Sequence, residues 1–103
     1  MTLTLDITKM QSGTYEARLS HGGQEVTGTT LHESIAAALR TVAQDINEDF
    51  AHFVEARYGG VSSGTIGINR LAAEADVVAD HLVAMVAALH RSEEELAHRR
   101  AKL

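Results

Sequence analysis

The sequence predicts an α+β fold, in which a three-stranded antiparallel β-meander precedes two long α-helices. Over residues 1–28, apolar and polar side chains alternate, which is typical of strands that bury one face. From residue 30 onward, apolar residues recur every three or four positions, as in amphipathic helices. Proline is absent from all 103 residues, which suits long helices, and we expect a single domain.

The predicted meander occupies residues 1–28. Apolar and polar side chains alternate over residues 3–7 and again over residues 15–19. Gln11-Ser12-Gly13 and His21-Gly22-Gly23 carry the residues that favour tight turns. Residues 24–28 are long enough for a short third strand, so three strands with one apolar face are expected.

Helix 1 is predicted over residues 30–58. Thr30 and Glu33 have the spacing of a capping box, in which each side chain accepts a hydrogen bond from the other residue's backbone. Gly59 follows the helix and is suited to its C-terminal cap. The apolar residues that predict this helix are Leu31, Ile35, Leu39, Val42, Ile46, Phe50 and Phe53.

Residues 59–67 (GGVSSGTIG) are predicted to be a flexible linker, because they contain four glycines and two serines. A glycine- and serine-rich loop before a helix also suits a bound phosphate. The lysine and the spacing of a P-loop are missing, however, so the linker is the preferred interpretation.

Helix 2 is predicted over residues 68–103, and its apolar stripe has the 3.5-residue repeat of a coiled coil. The stripe consists of Ile68, Leu71, Ala75, Val78, Leu82, Met85 and Leu89. At ~1.5 Å per residue the helix is roughly 50 Å long, far beyond the ~13 Å radius of gyration of a compact chain of this size. The helix must therefore project from its domain or pack on another chain. We expect a homodimer with Leu71, Val78, Leu82, Met85 and Leu89 at its interface. The glycine-rich connection permits the two helices to form a hairpin within one chain, and it equally permits helix 2 to swap onto a neighbouring chain.

The overall charge disfavours several classes of function. The formal net charge is −5, which argues against direct binding of nucleic acid. Cysteine is absent, and neither a signal peptide nor an apolar run of membrane-spanning length is present. We therefore expect a cytoplasmic protein with no membrane partner.

Few residues suggest catalysis or metal binding. On the predicted helix 1, Asp45, Asp49 and His52 share one flank, and the Asp49–His52 spacing resembles part of a helical di-metal site. The second helix offers only Asp80 and His81 as complements. No cofactor, metal or enzymatic activity is predicted, and a metalloprotein or enzyme built on Asp45, Asp49 and His52 is the third hypothesis of function.

The passage from Tyr15 to Leu19, with the junction from Gly28 to Ile35, resembles the N-terminal module of HicB-type antitoxins. The resemblance covers about residues 3–46. It implies a small sheet that leads into a helix and a module that masks a small RNase toxin. His21-Gly22-Gly23 replaces the family's acidic Pro-Gly segment, and the long helix replaces its DNA-binding element, so no functional residue carries over.

The leading hypothesis is a non-catalytic, oligomeric inhibitor that occludes a partner protein, in the manner of an antitoxin or a phage anti-CRISPR protein. The partner-binding residues would be Glu48, Glu55, Glu93 and Glu94. Their carboxylates can imitate nucleic-acid phosphates and occupy the basic groove of a nucleic-acid-binding protein. The second hypothesis is a structural protein whose role is homo-oligomerisation through helix 2.

Overall fold

The computed structural model describes residues 1–47 and 49–101, which form one mixed β-sheet and two helices. The strands are β1 (Thr2–Gln11), β2 (Thr14–His21), β3 (Gln24–Glu25), β4 (Thr30–His32), β5 (Phe53–Tyr58) and β6 (Val61–Gly67). The helices are α1 (Ile35–Asp45), between β4 and β5, and α2 (Ile68–Ala101), after β6. The α+β class predicted from the sequence is confirmed.

The sheet is built around β1, which pairs antiparallel with β2 and parallel with β5. Beyond β5, β6 pairs antiparallel and forms one edge. At the other edge, β3 and β4 both pair with β2, at opposite ends of that strand. The predicted meander is thus correct for the pairing of β1 with β2, whereas its third strand is shortened to two residues and the sheet is larger and mixed.

The prediction of a single helix over residues 30–58 is wrong. The helix covers only Ile35–Asp45, and the chain turns at Asn47, whose Oδ1 accepts a hydrogen bond from the Asp49 N–H at 2.9 Å. Residues 53–58 then form β5, in which buried Val54 and Ala56 alternate with less buried neighbours. Phe50 and Phe53 match a helical spacing, but both are about half exposed and belong to no helix.

The prediction of a flexible linker over residues 59–67 is also wrong. Gly59 and Gly60 have φ values of 57° and 86°, as a two-residue hairpin turn requires, and Tyr58 pairs with Val61 across it. Gly64, with φ of 74°, lies where the register of β5 and β6 shifts. There the Ser63 hydroxyl accepts a hydrogen bond from the Ala56 N–H at 3.0 Å. The glycines and serines therefore build a strand and its turn.

The N-cap of α1 is Ser34, whose Oγ accepts a hydrogen bond from the Ala37 N–H at 3.0 Å. The predicted capping box is wrong, because Thr30 lies in β4 with its Oγ1 2.7 Å from His32 Nε2.

We expect Ser34→Ala to lower the free energy of unfolding by about 1 kcal/mol, because it leaves a helix N–H without its acceptor. Thr30→Ala removes only an exposed contact and should lower it by less than about 0.5 kcal/mol. Urea unfolding monitored by circular dichroism measures both. Equal losses would contradict the assignment of Ser34 as the cap.

The hydrophobic core lies between one face of the sheet and the two helices. Strand residues Leu3, Leu5 and Val54 are at most 1% exposed, as is Leu39 of α1. From α2, the core receives Ile68, Leu71, Ala75, Ala79 and Leu82. The first half of the apolar stripe of α2 is thus covered by the chain's own sheet and by α1.

The second half of α2 extends beyond the core. The molecule measures 56 × 27 × 25 Å, and every residue from Ala87 to Ala101 is exposed. Val86 and Leu89 lie beside the Gly59–Gly60 turn, after which the helix continues for roughly 18 Å. We call residues 90–101 the projecting end. Within the described chain, neither helix has the length and apolarity needed to cross a membrane.

Candidate protein-binding surfaces

The projecting end carries one leucine, Leu96, in line with apolar residues of the core. Leu82, Leu89 and Leu96 are seven residues apart, which places them on one side of α2. Leu82 is 0% exposed in the core, whereas Leu89 is 38% and Leu96 is 51% exposed. The apolar side of α2 therefore continues into solvent.

The charges on the projecting end are segregated along the helix. Glu93, Glu94 and Glu95 are exposed, and within residues 1–47 and 49–101 no ion pair involves them. His98, Arg99 and Arg100 follow in the last described turn, where positive charge complements the helix dipole. Of the predicted partner-binding residues, Glu93 thus lies one turn before exposed Leu96 on the same side of the helix, whereas Glu94 lies about 160° around the axis from it.

Glu55, by contrast, lies on the face of the sheet that the helices leave open. It is half-buried, and Arg57 Nε donates a hydrogen bond to its carboxylate at 2.6 Å. That hydrogen bond, followed by the charge of the carboxylate, raises the pKa of Arg57 above its ordinary value. Next to this pair, Asp6 is in register with both Arg18 and Arg57. Glu55 is therefore part of a face whose charges already balance one another.

The structure does not bring the predicted acidic residues together into one surface. Glu55 is on β5 and Glu93 and Glu94 are on the projecting end of α2, while Glu48 lies outside the described residues. If a partner recognises one acidic surface of this chain, the projecting end is therefore the part of the described chain that provides it.

The five residues predicted at a dimer interface differ in accessibility. Leu71 and Leu82 are 0% exposed within one chain, so their side chains belong to its own core. Val78 and Met85 are half-buried at the margin of this core, and Leu89 is exposed. A homodimer stays a prediction, and in it only Val78, Met85 and Leu89 are accessible to a second copy.

The residues considered for metal binding do not share a helix. Asp45 is the last residue of α1, Asp49 lies in the turn that follows, and His52 immediately precedes β5; all three are exposed. In the described part of the chain, no group of three or more histidine, aspartate or glutamate side chains is placed to hold a metal ion. The geometry that motivated the metalloprotein hypothesis is thus not formed by these residues.

A surface cleft of about 460 Å³ lies where β1 extends past the β5–β6 turn. Its lining includes Asp6, Thr8, Arg57, Tyr58 and Ser62. Burial, and to a lesser degree the nearby Tyr15, raises the pKa of Tyr58 above its ordinary value, so its phenol stays protonated at neutral pH. Among the described residues that line this cleft there are hydroxyl groups but no histidine that could act as a base beside them.

Leu96 is the residue that the sequence interpretation missed. Its signal is the seven-residue interval from Leu82 through Leu89, but Ser92 and Arg99 interrupt the three-and-four spacing on either side of it. The failure of the repeat at these two positions predicts that the last two turns of the helix are solvated, but it does not single out Leu96.

No protein-family model matches the chain, and comparisons with curated proteins and with solved structures gave no match either. Function is therefore inferred from the surfaces of this chain.

Proposed function

We propose that this chain is a non-catalytic protein-binding module that inhibits a partner protein by occluding it. The observation that carries the proposal is the projecting end, a helix outside the core that carries unengaged Glu93, Glu94 and Glu95 and in which Leu96 continues the exposed apolar side begun by Leu89. Such a helix fits a groove on another protein through apolar residues spaced along one side.

The energetics favour a bound state for this segment. The projecting end continues a helix that is nucleated in the core, so a partner binds it with little further ordering of its backbone. Burying a leucine side chain contributes ~1.5–3 kcal/mol. Glu93, one turn before Leu96, favours a basic group at the edge of that groove, as many nucleic-acid-binding sites provide.

Occlusion follows from the shape of the molecule. The core is about 25 Å across, and it is attached rigidly to the base of the projecting end by a continuous helix. When the projecting end lies in a groove, the core covers the protein surface beside that groove. Antitoxin-like masking of an RNase and anti-CRISPR-like blocking of a nuclease are two forms of the same proposal.

The alternative function is structural, with the homo-oligomer itself as the product. The half-buried Val78 and Met85 at the core margin favour this alternative, because a second copy would complete their burial. In that case, the charges of the projecting end would be dispensable.

The partner would be captured from the source cells with the wild-type chain, identified, and then titrated by calorimetry. We expect Leu96→Glu to weaken binding at least tenfold, because it removes an apolar contact from the proposed interface. Glu93→Lys, one turn before Leu96 on the same side, should also weaken binding and reduce its sensitivity to salt.

Ala87→Glu is the matched control for these variants. Ala87 is exposed and lies about 180° around the helix axis from Leu96, so its substitution should leave binding unchanged. Equal affinity of wild type and Leu96→Glu would reject the projecting end as the recognition element. Retained function in the Glu93→Lys variant would instead favour the structural alternative, in which the charges of the projecting end are dispensable.

A further inference from the structure

The open margin of the sheet at β6 points to a second site of interaction, and we propose that two copies of this chain associate there. In the proposed dimer, the β6 strands pair antiparallel and the α2 helices above them pack against each other. This surface is distinct from the projecting end, and the inference is independent of the proposed inhibition.

The strand β6 is a long sheet edge without the usual protection. It pairs with β5 on one side, and its seven residues include neither proline nor a charged residue. The opposite edge consists of two short pieces, β3 and β4, of two and three residues. Edges of natural sheets are normally broken, charged or covered, because unpaired backbone groups attract another strand. Only the bulge at Gly64 interrupts β6.

The flank of α2 above this edge is apolar and incompletely covered. Asp76 marks the side that faces α1, because Arg40 binds it at 2.6 Å. At about 100° per residue, Val78 and Met85 lie about 160–180° around the axis from Asp76, on the side away from α1. Because α2 packs over β5 and β6, this side overlooks the free edge. Val78 and Met85 are half-buried, as are Val61 and Ile66 of β6.

The spacing of sheet and helices favours a second copy over an unrelated strand. Adjacent strands are about 4.8 Å apart. Each α2 covers β5 and β6 of its own copy, so joining the two β6 edges places the axes of the two α2 helices roughly 10 Å apart. That distance is close to the usual 8–10 Å between packed helices. One association would therefore pair both β6 edges and close the gap between the two α2 helices.

The polar groups on this flank are also self-complementary. Glu74 lies four residues before Val78 and His81 lies three residues after it. A two-fold axis at Val78 between antiparallel α2 helices sets Glu74 of each copy beside His81 of the other. Glu74 already binds Arg70 at 3.2 Å and keeps acceptor capacity for a second donor. Residues beyond 88 extend past Ile68 of the other copy, so the projecting ends stay free.

The test is the dissociation constant of the dimer, measured by sedimentation equilibrium. We expect His81→Glu to raise this constant at least tenfold. The new carboxylate faces Glu74 of the other copy, and the two-fold axis makes this repulsive contact occur twice per dimer. Glu74→Lys combined with His81→Glu should restore association, because a lysine at position 74 of one copy then faces a glutamate at position 81 of the other. Ala87→Glu, also exposed but about 120° from His81, should have no effect.

A cross-link locates the axis directly, because the chain has no cysteine of its own. Val78→Cys should form an intermolecular disulfide under mild oxidation, and Ala87→Cys should not. In hydrogen exchange, β6 amides should gain protection as protein concentration rises. A wild-type monomer at millimolar concentration, or a dimer insensitive to His81→Glu and not cross-linked through Val78→Cys, would overturn the proposal. Leu96→Glu should leave the dimer intact, which separates this surface from partner binding.

Discussion

Leu82→Glu is expected to unfold the isolated chain. Leu82 is 0% exposed, and it packs in the core together with Leu71 of the preceding turns and Leu39 of α1. Truncation of a buried leucine to alanine alone costs about 2–5 kcal/mol, and burial of an unpaired carboxylate adds a further penalty. This sum is comparable to the whole stability of a small domain. Far-ultraviolet circular dichroism and urea unfolding measure the loss.

Leu96→Glu is the matched control. It makes the same substitution two heptads further along the same side of α2. Its side chain is 51% exposed, so the free energy of unfolding should change by less than about 0.5 kcal/mol. The two variants together separate core from surface along one apolar line. If Leu82→Glu stayed folded and only reduced the oligomer mass, Leu82 would be an intermolecular contact instead of a core residue.

Gly59→Ala is expected to destabilise the fold through two effects at one position. Gly59 has φ of 57°, a conformation that costs other residues about 1–2 kcal/mol. An added Cβ would also stand 2.8 Å from Val86 Cγ2, in a helix that cannot easily move. The steric effect adds about 1–3 kcal/mol, so the total loss should be about 2–5 kcal/mol in urea unfolding.

Gly22→Ala is the natural comparison, because Gly22 is also the first residue of a Gly-Gly turn and has φ of 59°. No atom lies within 4 Å of its added Cβ, so only the backbone effect applies. The difference between the two variants measures the contact of the β5–β6 turn with α2. Combining Gly59→Ala with Val86→Ala should recover part of that difference. Equal losses for Gly59→Ala and Gly22→Ala would show that α2 does not press on the turn.

Local patterns were informative where an element's own side chains decide its structure. Alternation identifies β1 and β2, since each has one face toward the core, and the continuous helical periodicity identifies α2. The exposed charges Glu93 and Glu94 also follow from the sequence, because the apolar repeat fails around them. These features depend on residues that are close together in the chain.

Residues 46–67 show where local patterns fail. Phe50 and Phe53 continue the spacing of α1 by coincidence, and the short alternation around Val54 fits a strand as well as a helix end. What decides the outcome is the parallel pairing of β5 with β1, which joins Phe53 to Thr2 across about half of the chain. Gly59 and Gly60 form a hairpin turn only because both flanking segments are strands.

The sequence by itself therefore determined the α+β class, the first two strands, the long second helix and its charged end. Tertiary structure decided which part of the apolar stripe of α2 is core and which is surface. Leu71, Leu82 and Leu89 belong to the same 3.5-residue repeat, and that repeat fits the chain's own sheet or another helix equally well. The sheet ends beside Gly60. Leu82 is buried because it lies over the sheet, whereas Leu89 at its end and Leu96 beyond it are exposed.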